Sequence, residues 1–268
     1  MRTLWAALLV AGMAGLGARA ETSQQKGKRV VDEALAALGG PAFLNMRNRV
    51  ETGRIYGFYH EKLSGLGVDA LYTNYLPRPE RPEPGFLGVR VRDARGKKQD
   101  DVILYTEGTG YELTFRGARP LSDTIVKQFK VATLHNVFYI LRQRLGEPGI
   151  VFDSRGSDFF ENRPVEIVDI TDANNDTVTV YFDQATKLPA RQVYYRRDPI
   201  DNSKLEEVTL FNKYRDVGGG VMWPFTIRRE RNGEKIFEMY SESAEINRDL
   251  KDSLFTLPPN LKILKKDK

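Results

Sequence analysis

Two kinds of hydrophobic periodicity divide the chain. In residues 26–38 apolar positions recur every three or four residues, which predicts an amphipathic helix that ends at Gly39-Gly40-Pro41. Elsewhere, short runs rich in Val, Ile, Thr, Tyr and Phe lie between turn-forming residues, which is typical of β-strands. The predicted strands are residues 48–59, 86–92, 101–106, 111–115, 165–170, 177–182, 190–197, 205–215, 222–231 and 235–246.

A second helix is predicted over residues 123–145. Ser122 is a suitable N-cap, and Gly146 with Pro148 ends the segment. Residues 137–141, VFYIL, are apolar on every side of the helix, so we expect this helix to be more deeply covered than a surface helix.

Residues 62–85 interrupt the strand pattern. Gly65 and Gly67 are followed by LPRPERPEPG, which has four prolines. Proline and glycine at this density predict an extended loop, which we interpret as a Pro-rich insertion.

Short connections between the later strands indicate an antiparallel meander, because parallel crossovers need a dozen or more residues. One of these connections is Asn232-Gly233, the dipeptide typical of a type I′ hairpin turn. No internal repeat or change of composition divides the chain. We therefore predict a mainly β (α+β) fold of about ten to eleven antiparallel strands and two helices, in one domain over residues 21–268.

The N-terminus has the pattern of a secretory signal peptide. Arg2 precedes an apolar run over residues 4–16, and Ala18-Arg19-Ala20 is a small-residue cleavage site. The run is too short to span a bilayer, where about 20 apolar residues are needed. We expect cleavage after Ala20 and export to the periplasm; a retained membrane anchor is the alternative.

Composition argues against most catalytic and metal sites. The chain has no Cys and two His, so it has neither a disulfide framework nor a thiolate ligand. His60 and His135 do not lie in a metal-binding spacing. Asp172, Asn174 and Asp176 resemble a calcium loop, but Thr177 stands where that loop needs Gly, which favours a hairpin turn. We predict a protein without cofactor or metal that is not an enzyme.

The chain is basic, with 41 Lys+Arg against 36 Asp+Glu and a net charge of +5. The basic residues cluster at Arg90, Arg92, Arg95, Lys97, Lys98 and in the C-terminal LKILKKDK. Aromatic residues are not interleaved with them as a nucleic-acid stacking groove requires. An anionic membrane surface fits an exported protein better, and an ordinary solvated surface is the alternative.

The last third of the chain carries three segments in a characteristic order. They are YFDQATKLPARQVYY, FNKYRDVGGGVMWPFTIRRERNGEKIF and EINRDLKDSLFTLP. This succession resembles the LolA/LolB-like outer-membrane lipoprotein carrier (lipoprotein-sorting protein) superfamily, in which D-x-x-T-x-LP, Y-x-D-V-x-G-G-x-x-x-P and N-x-x-x-x-x-x-x-F-x-x-P elements recur. The resemblance covers residues 177–258 well and the rest of the mature chain loosely.

The resemblance implies an antiparallel open half-barrel with a helical lid and an apolar cavity between them. It implies a monomeric, non-catalytic periplasmic carrier of lipid or of lipoprotein acyl chains, with an anionic membrane surface or an envelope protein as acceptor. An envelope sensor or scaffold of the same fold that binds another protein is the alternative. No single Arg can be assigned to the family's role of tying barrel to lid. The candidate cavity-lining residues are Ile55, Tyr105, Phe129, Phe138, Val193, Leu210, Phe225 and Ile227.

Overall fold

A computed structural model describes residues 20–77, 86–106 and 108–266. The predicted signal peptide falls almost wholly outside the described residues, as do prolines 79, 82 and 84 of the predicted insertion. None of the described helices is long and apolar enough to cross a membrane.

Four helices are short and lie mostly in two parts of the chain. They are α1 (Ser23–Ala37), α2 (Pro41–Leu44), α3 (Asp123–Leu134) and α4 (Val137–Tyr139), and α4 continues into a π-helical segment, Ile140–Arg144. The start of α1 is fixed by a capping box. The Thr22 hydroxyl accepts from the Gln25 amide at 3.2 Å, and the Gln25 side chain accepts from the Thr22 amide at 2.9 Å.

The strands form one open antiparallel sheet of 13 strands in the described residues. They are β1 (Asn48–Tyr59), β2 (Lys62–Tyr75), β3 (Val89–Arg95), β4 (Asp101–Thr106), β5 (Thr109–Thr114), β6 (Gly117–Pro120), β7 (Val151–Phe160), β8 (Arg163–Thr171), β9 (Thr177–Asp183), β10 (Pro189–Arg197), β11 (Lys204–Asp216), β12 (Met222–Arg231) and β13 (Glu234–Ile246). The spatial order is β6-β5-β4-β3-β2-β1-β13-β12-β11-β10-β9-β8-β7. The predicted class and antiparallel meander are confirmed, but the predicted strand number is too low, because β2, β6 and β7 are additional.

The prediction of a loop over residues 62–85 is wrong for its first half. Residues 62–75 form β2, which pairs with β1 along its whole length, and Gly65 and Gly67 lie opposite Gly57 and Ile55. Glycine weakens a strand but does not end it when a long partner strand supplies the hydrogen bonds.

The predicted single helix over residues 123–145 is also wrong, because it is interrupted at His135 and Asn136. The Asn136 side chain accepts from the Tyr139 amide at 3.2 Å and so starts a new helix. The break separates α3, none of whose residues is buried, from the buried VFYIL segment.

The two faces of the sheet have different roles. We call the face that carries Phe211, Trp223 and Ala244 the inner face, because these residues pack with α1, α4 and the π-helical segment in the main core. The outer face carries two smaller apolar clusters. One contains Ala70, Ala94, Val102 and Leu104, and Leu257 of the C-terminal segment covers it; the other contains Val193, Val208 and Leu210.

Trp223 joins the middle strands to the helices. Its indole N–H donates to Glu51 at 3.2 Å, and the Arg49 guanidinium lies 3.8 Å from its ring centroid. The Phe138 ring lies 4.6 Å from it on the helical side. Glu51 also accepts from the Ser241 hydroxyl and pairs with Arg49 at 3.3 Å. β1, β12, β13 and α4 are therefore held by one polar and aromatic cluster.

Removal of the Glu51 carboxylate should destabilise the protein strongly. Arg49 is only 7% exposed, so Glu51→Ala would leave a buried guanidinium without its carboxylate and lower the unfolding free energy by about 3–5 kcal/mol. Glu242→Ala is the control, because it breaks the exposed Arg54–Glu242 pair, which should contribute at most about 1 kcal/mol. Denaturant titration measures both variants, and equal losses would contradict the assigned role of Glu51.

Candidate functional site

The candidate site lies between α3 and the inner face of the sheet. None of the 12 residues of α3 is buried, although the helix carries Ile125, Val126, Phe129, Val131 and Leu134. A helix with this many apolar residues normally buries a stripe of them against a partner. The apolar side of α3 is therefore only partly covered by the protein itself.

Two aromatic contacts anchor this part of the chain. Phe129 of α3 stacks on Tyr105 of β4, with ring centroids 3.7 Å apart and an interplanar angle of 3°. His135, which caps the C-terminus of α3, stacks on Tyr194 of β10 at 4.6 Å. Burial raises the pKa of both tyrosines, so their phenol groups stay neutral well into the alkaline range.

These two contacts require a strongly curved sheet. Six strands separate β4 from β10, which corresponds to about 34 Å along the sheet at about 4.8 Å per strand. Phe129 and His135 are only six residues apart, or about 9 Å along a helix. Both contacts can form only because the sheet curves towards α3. We call the region between this helix and the inner face of the middle strands the cleft.

The floor of this cleft is built from small and apolar residues of the middle strands. Ile55 of β1 and Ile227 of β12 both lie opposite Met239 of β13, so all three side chains are on the inner face. Ile55 and Ile227 are only partly buried.

Glycines keep side chains out of the cleft. Gly65 and Gly67 of β2 also lie on the inner face, opposite Gly57 and Ile55. A Cβ atom added at Gly65 would meet no atom within 4 Å, and one at Gly67 would meet only Ile55, at 3.4 Å. Neither glycine has a positive φ, so neither the backbone nor packing requires glycine there. Their effect is to leave space.

A group of carboxylates lies on the inner face of β2, β3 and β4. Asp69 is opposite Arg95, which is opposite Asp101, and Asp93 accepts from Arg95 at 3.0 Å. The Oδ1 atoms of the three aspartates are buried and accept no hydrogen bond from a described residue. Burial raises the pKa of Asp69 to about 8, and a hydrogen bond with Asp93 acts in the same direction. At this pKa the Asp69 carboxyl is protonated at neutral pH.

The eight predicted cavity-lining residues fall into three groups. Ile55, Tyr105 and Ile227 on the inner face and Phe129 of α3 are partly buried, and Ile227 packs against the main core. Phe138 and Phe225 are buried in the main core, where Phe138 packs on Phe211 and Trp223.

The remaining two residues lie elsewhere. Val193 and Leu210 form an outer-face cluster with Phe160 and Tyr181, so the structure does not bring them to the cleft. Alternation along a strand places neighbouring residues on opposite faces, and the sequence pattern did not indicate which face is inner.

Sequence reasoning missed the glycines and Asp69. Gly65 and Gly67 are typical of a loop when the sequence is considered alone, although a spacing of two also places both residues on one face of a strand.

The two histidines contact neighbouring residues of the fold. His60 lies in the exposed β1–β2 turn, and His135 is buried, with its Nδ1 2.7 Å from the Val131 carbonyl.

Asp172 accepts from the amides of Asn174 and Asp176 in the β8–β9 turn, as predicted for a hairpin. Within the described ranges, no group of three His, Cys, Asp or Glu is placed to hold a metal ion.

The chain is similar in structure to three solved proteins. A domain from Vibrio parahaemolyticus, provisionally described as an outer membrane lipoprotein-sorting protein, matches with a TM-score of 0.56 and 12% identity, over 87% of this chain and 97% of that one. A DUF1329 family protein from Desulfovibrio piger matches with a TM-score of 0.57 and 11% identity, over 86% and 97%. A LolA superfamily protein from Nitrosomonas europaea matches with a TM-score of 0.51 and 12% identity, over 86% and 97%.

No family model matches the sequence, and no curated protein is significantly similar to it. At these low identities the structural matches bear on the fold. They show that the chain has a LolA-like fold, as the motifs of its last third predicted.

The buried Asp69 carboxyl should make stability depend on pH. The unfolded chain releases this proton near pH 4, whereas the folded chain holds it to about pH 8, so the folded state binds more protons between these values and loses stability as pH rises. Asp69→Asn removes this loss. Its unfolding free energy at pH 8.5 should exceed that of the wild type by at least about 1.4 kcal/mol, the equivalent of one pKa unit.

Denaturant titrations at pH 5 and pH 8.5 measure this effect. Asp249→Asn is the control, because it removes an exposed carboxylate and should leave the pH dependence unchanged. If wild type and Asp69→Asn lose stability equally between the two pH values, Asp69 is not protonated in the folded protein.

Proposed function

We propose that residues 21–268 form a non-catalytic carrier domain that binds a lipid, or the acyl chains of a lipoprotein, in the cleft beneath α3. The proposal rests chiefly on one observation: α3 lies over a curved sheet without burying any of its apolar residues. In this proposal α3 is a lid, and the partly buried Ile55, Tyr105, Phe129 and Ile227 contact the acyl chain.

The energetics of transfer favour such a site. Transfer of a 14-carbon chain from water into apolar surroundings contributes roughly 11 kcal/mol at about 0.8 kcal/mol per CH₂ group. A carrier therefore has to offer a comparable apolar surface that its own side chains do not already fill. The open space at Gly65 and the apolar residues of α3 that the protein leaves partly exposed support the proposal on this point.

The cellular setting of the proposal is the periplasm, after cleavage following Ala20. The cargo would cross an aqueous compartment between two membranes, with an anionic membrane surface or an envelope protein as acceptor. The LolA-like fold of the chain supports this setting, since one similar structure is described as a lipoprotein-sorting domain.

The decisive experiment is mass spectrometry of organic extracts from the protein purified gently from a periplasmic fraction. Stoichiometric phospholipid or acylated peptide is the expected result and would identify the class of cargo. A clean extract, together with no displacement of an added fluorescent fatty acid, would contradict the proposal.

A side chain placed at Gly65 should block the cleft. Gly65→Leu puts a branched side chain into open space on the inner face, and leucine suits a strand better than glycine, so the fold should be kept. We expect the dissociation constant for a fluorescent fatty acid to rise at least about tenfold. This is the rise that results when one to two CH₂ groups of the acyl chain are no longer buried.

The control for this variant is Leu66→Phe. Leu66 is the next residue along β2, on the outer face, and is 67% exposed, so its enlargement should leave affinity unchanged. Equal affinity of wild type and Gly65→Leu would show that the chain does not bind beside β2.

A second candidate function is binding of another envelope protein by the outer face. Leu63 and Leu66 at the β1–β2 hairpin are 57% and 67% exposed, and the ring of Tyr240 packs edge-on against Tyr56 beside them. Exposed apolar patches of this kind are common in protein interfaces. Two results would favour this function. Organic extracts of the protein would contain no lipid, and the Leu66→Lys variant would no longer bind an envelope protein that the wild type binds.

A further inference from the structure

A basic group lies on the inner face at the far ends of β10, β11 and β12. Glu207 of β11 is 3% exposed and accepts from Arg196 Nε at 2.9 Å and from Arg231 Nε at 2.8 Å. Arg229 is two residues before Arg231 on β12 and so lies on the same face as it and Ile227. Two guanidinium groups therefore pair with one carboxylate, and that of Arg229 lies on the same face, two residues away along β12.

Arg229 differs from its two neighbours. Arg196 and Arg231 pair with Glu207, but Arg229 has no carboxylate within ion-pair distance among residues 20–77, 86–106 and 108–266. Arg229 nevertheless acts electrostatically on Tyr194, as Arg196 and Arg231 do. Burial, the largest effect, raises the pKa of Tyr194, and all three arginines lower it. The three arginines and Glu207 together have a net charge of +2, and the exposed Glu234 lies opposite Arg231 on the same face. The group adjoins the Tyr194–His135 contact at the end of α3.

The chemistry of this group suits a phosphate. Guanidinium groups bind phosphate and carboxylate through paired N–H donors. A net charge of +2 matches the charge of a phosphate monoester, which is about −1.5 to −2 at neutral pH. Arg196 and Arg231 are held in position by Glu207, so little side-chain freedom is lost when an anion binds.

We propose that Arg196, Arg229 and Arg231 form a binding site for a phosphate group, as the head group of the amphiphile whose chain lies in the cleft. This inference rests on the proposed function, because the apolar floor at Ile227 is on the same strand and face as Arg229. The ligand class is thereby narrowed from lipids in general to phosphate-bearing lipids.

The test compares two amphiphiles with the same 14-carbon chain, lysophosphatidic acid and neutral monoacylglycerol, by calorimetry. We expect the wild type to bind lysophosphatidic acid at least about tenfold more tightly, the usual effect of hydrogen bonds to a charged group. Arg229→Gln should abolish most of this preference without changing the affinity for monoacylglycerol, and Arg229→Lys should restore part of it. High salt should weaken only the binding of the phosphate lipid.

Arg228→Gln is the matched control. It removes the same charge from the same strand, but Arg228 points to the outer face and pairs with Glu230. Inorganic phosphate alone separates two sources of the ligand. If inorganic phosphate binds as tightly as lysophosphatidic acid, free phosphate is the ligand. If inorganic phosphate competes with lysophosphatidic acid only much more weakly, the ligand is the lipid head group.

Two results would overturn the inference, and they can be told apart. If monoacylglycerol binds and lysophosphatidic acid is not preferred, or if Arg228→Gln acts as Arg229→Gln does, the head-group site is wrong and the proposed lipid binding stands. If neither amphiphile binds the wild type, the proposed function fails, and the head-group site fails with it.

Discussion

The inner face of a 13-stranded open sheet has to be covered, and this constraint governs the molecule. α1, α2, α4 and the π-helical segment cover only the part of the face that carries Phe211 and Trp223. Burial of large aromatic side chains there supplies much of the stability that holds the curved sheet. α3 contacts the inner face through Phe129 on Tyr105 and through its C-cap His135 on Tyr194, and none of its own residues is buried. The well-packed main core thus stabilises the curvature of the sheet, including the less completely packed part of the inner face near α3.

The two regions meet at Trp223 and at the break before α4. Trp223 connects Glu51 of β1 with Phe138 of α4, so α4 is fixed to the middle of the sheet. Asn136 starts α4 separately from α3, and Arg144 donates to the Leu134 carbonyl at 2.9 Å, at the C-terminal end of α3. α3 is therefore held at both ends, because Asp123 at its start pairs with Lys266 at 2.7 Å. Between the two ends, Phe129 stacks on Tyr105.

The antiparallel meander was predictable from sequence because its turns have specific chemistry, as at Asn232-Gly233. The path of β2 was not predictable, since Gly65 and Gly67 read as loop signals until a partner strand is known to lie beside them. Ile55, Tyr105 and Ile227 lie on the inner face, which the period-two pattern of their strands allows but does not specify. Val193 and Leu210 do not, because which face of a strand turns inward depends on the packing of distant helices rather than on local pattern.

Polar residues on the inner face help to characterise the candidate site in a way that the pattern of apolar residues alone does not. Asp69 is 7% exposed with an oxygen that no described residue satisfies, and Arg229 lies on the same face with no carboxylate partner among the described residues. Burial of such groups costs free energy that apolar substitutes would avoid. In the proposed function, these groups would contact the polar part of the ligand, and the glycines of β2 would leave room for its apolar part.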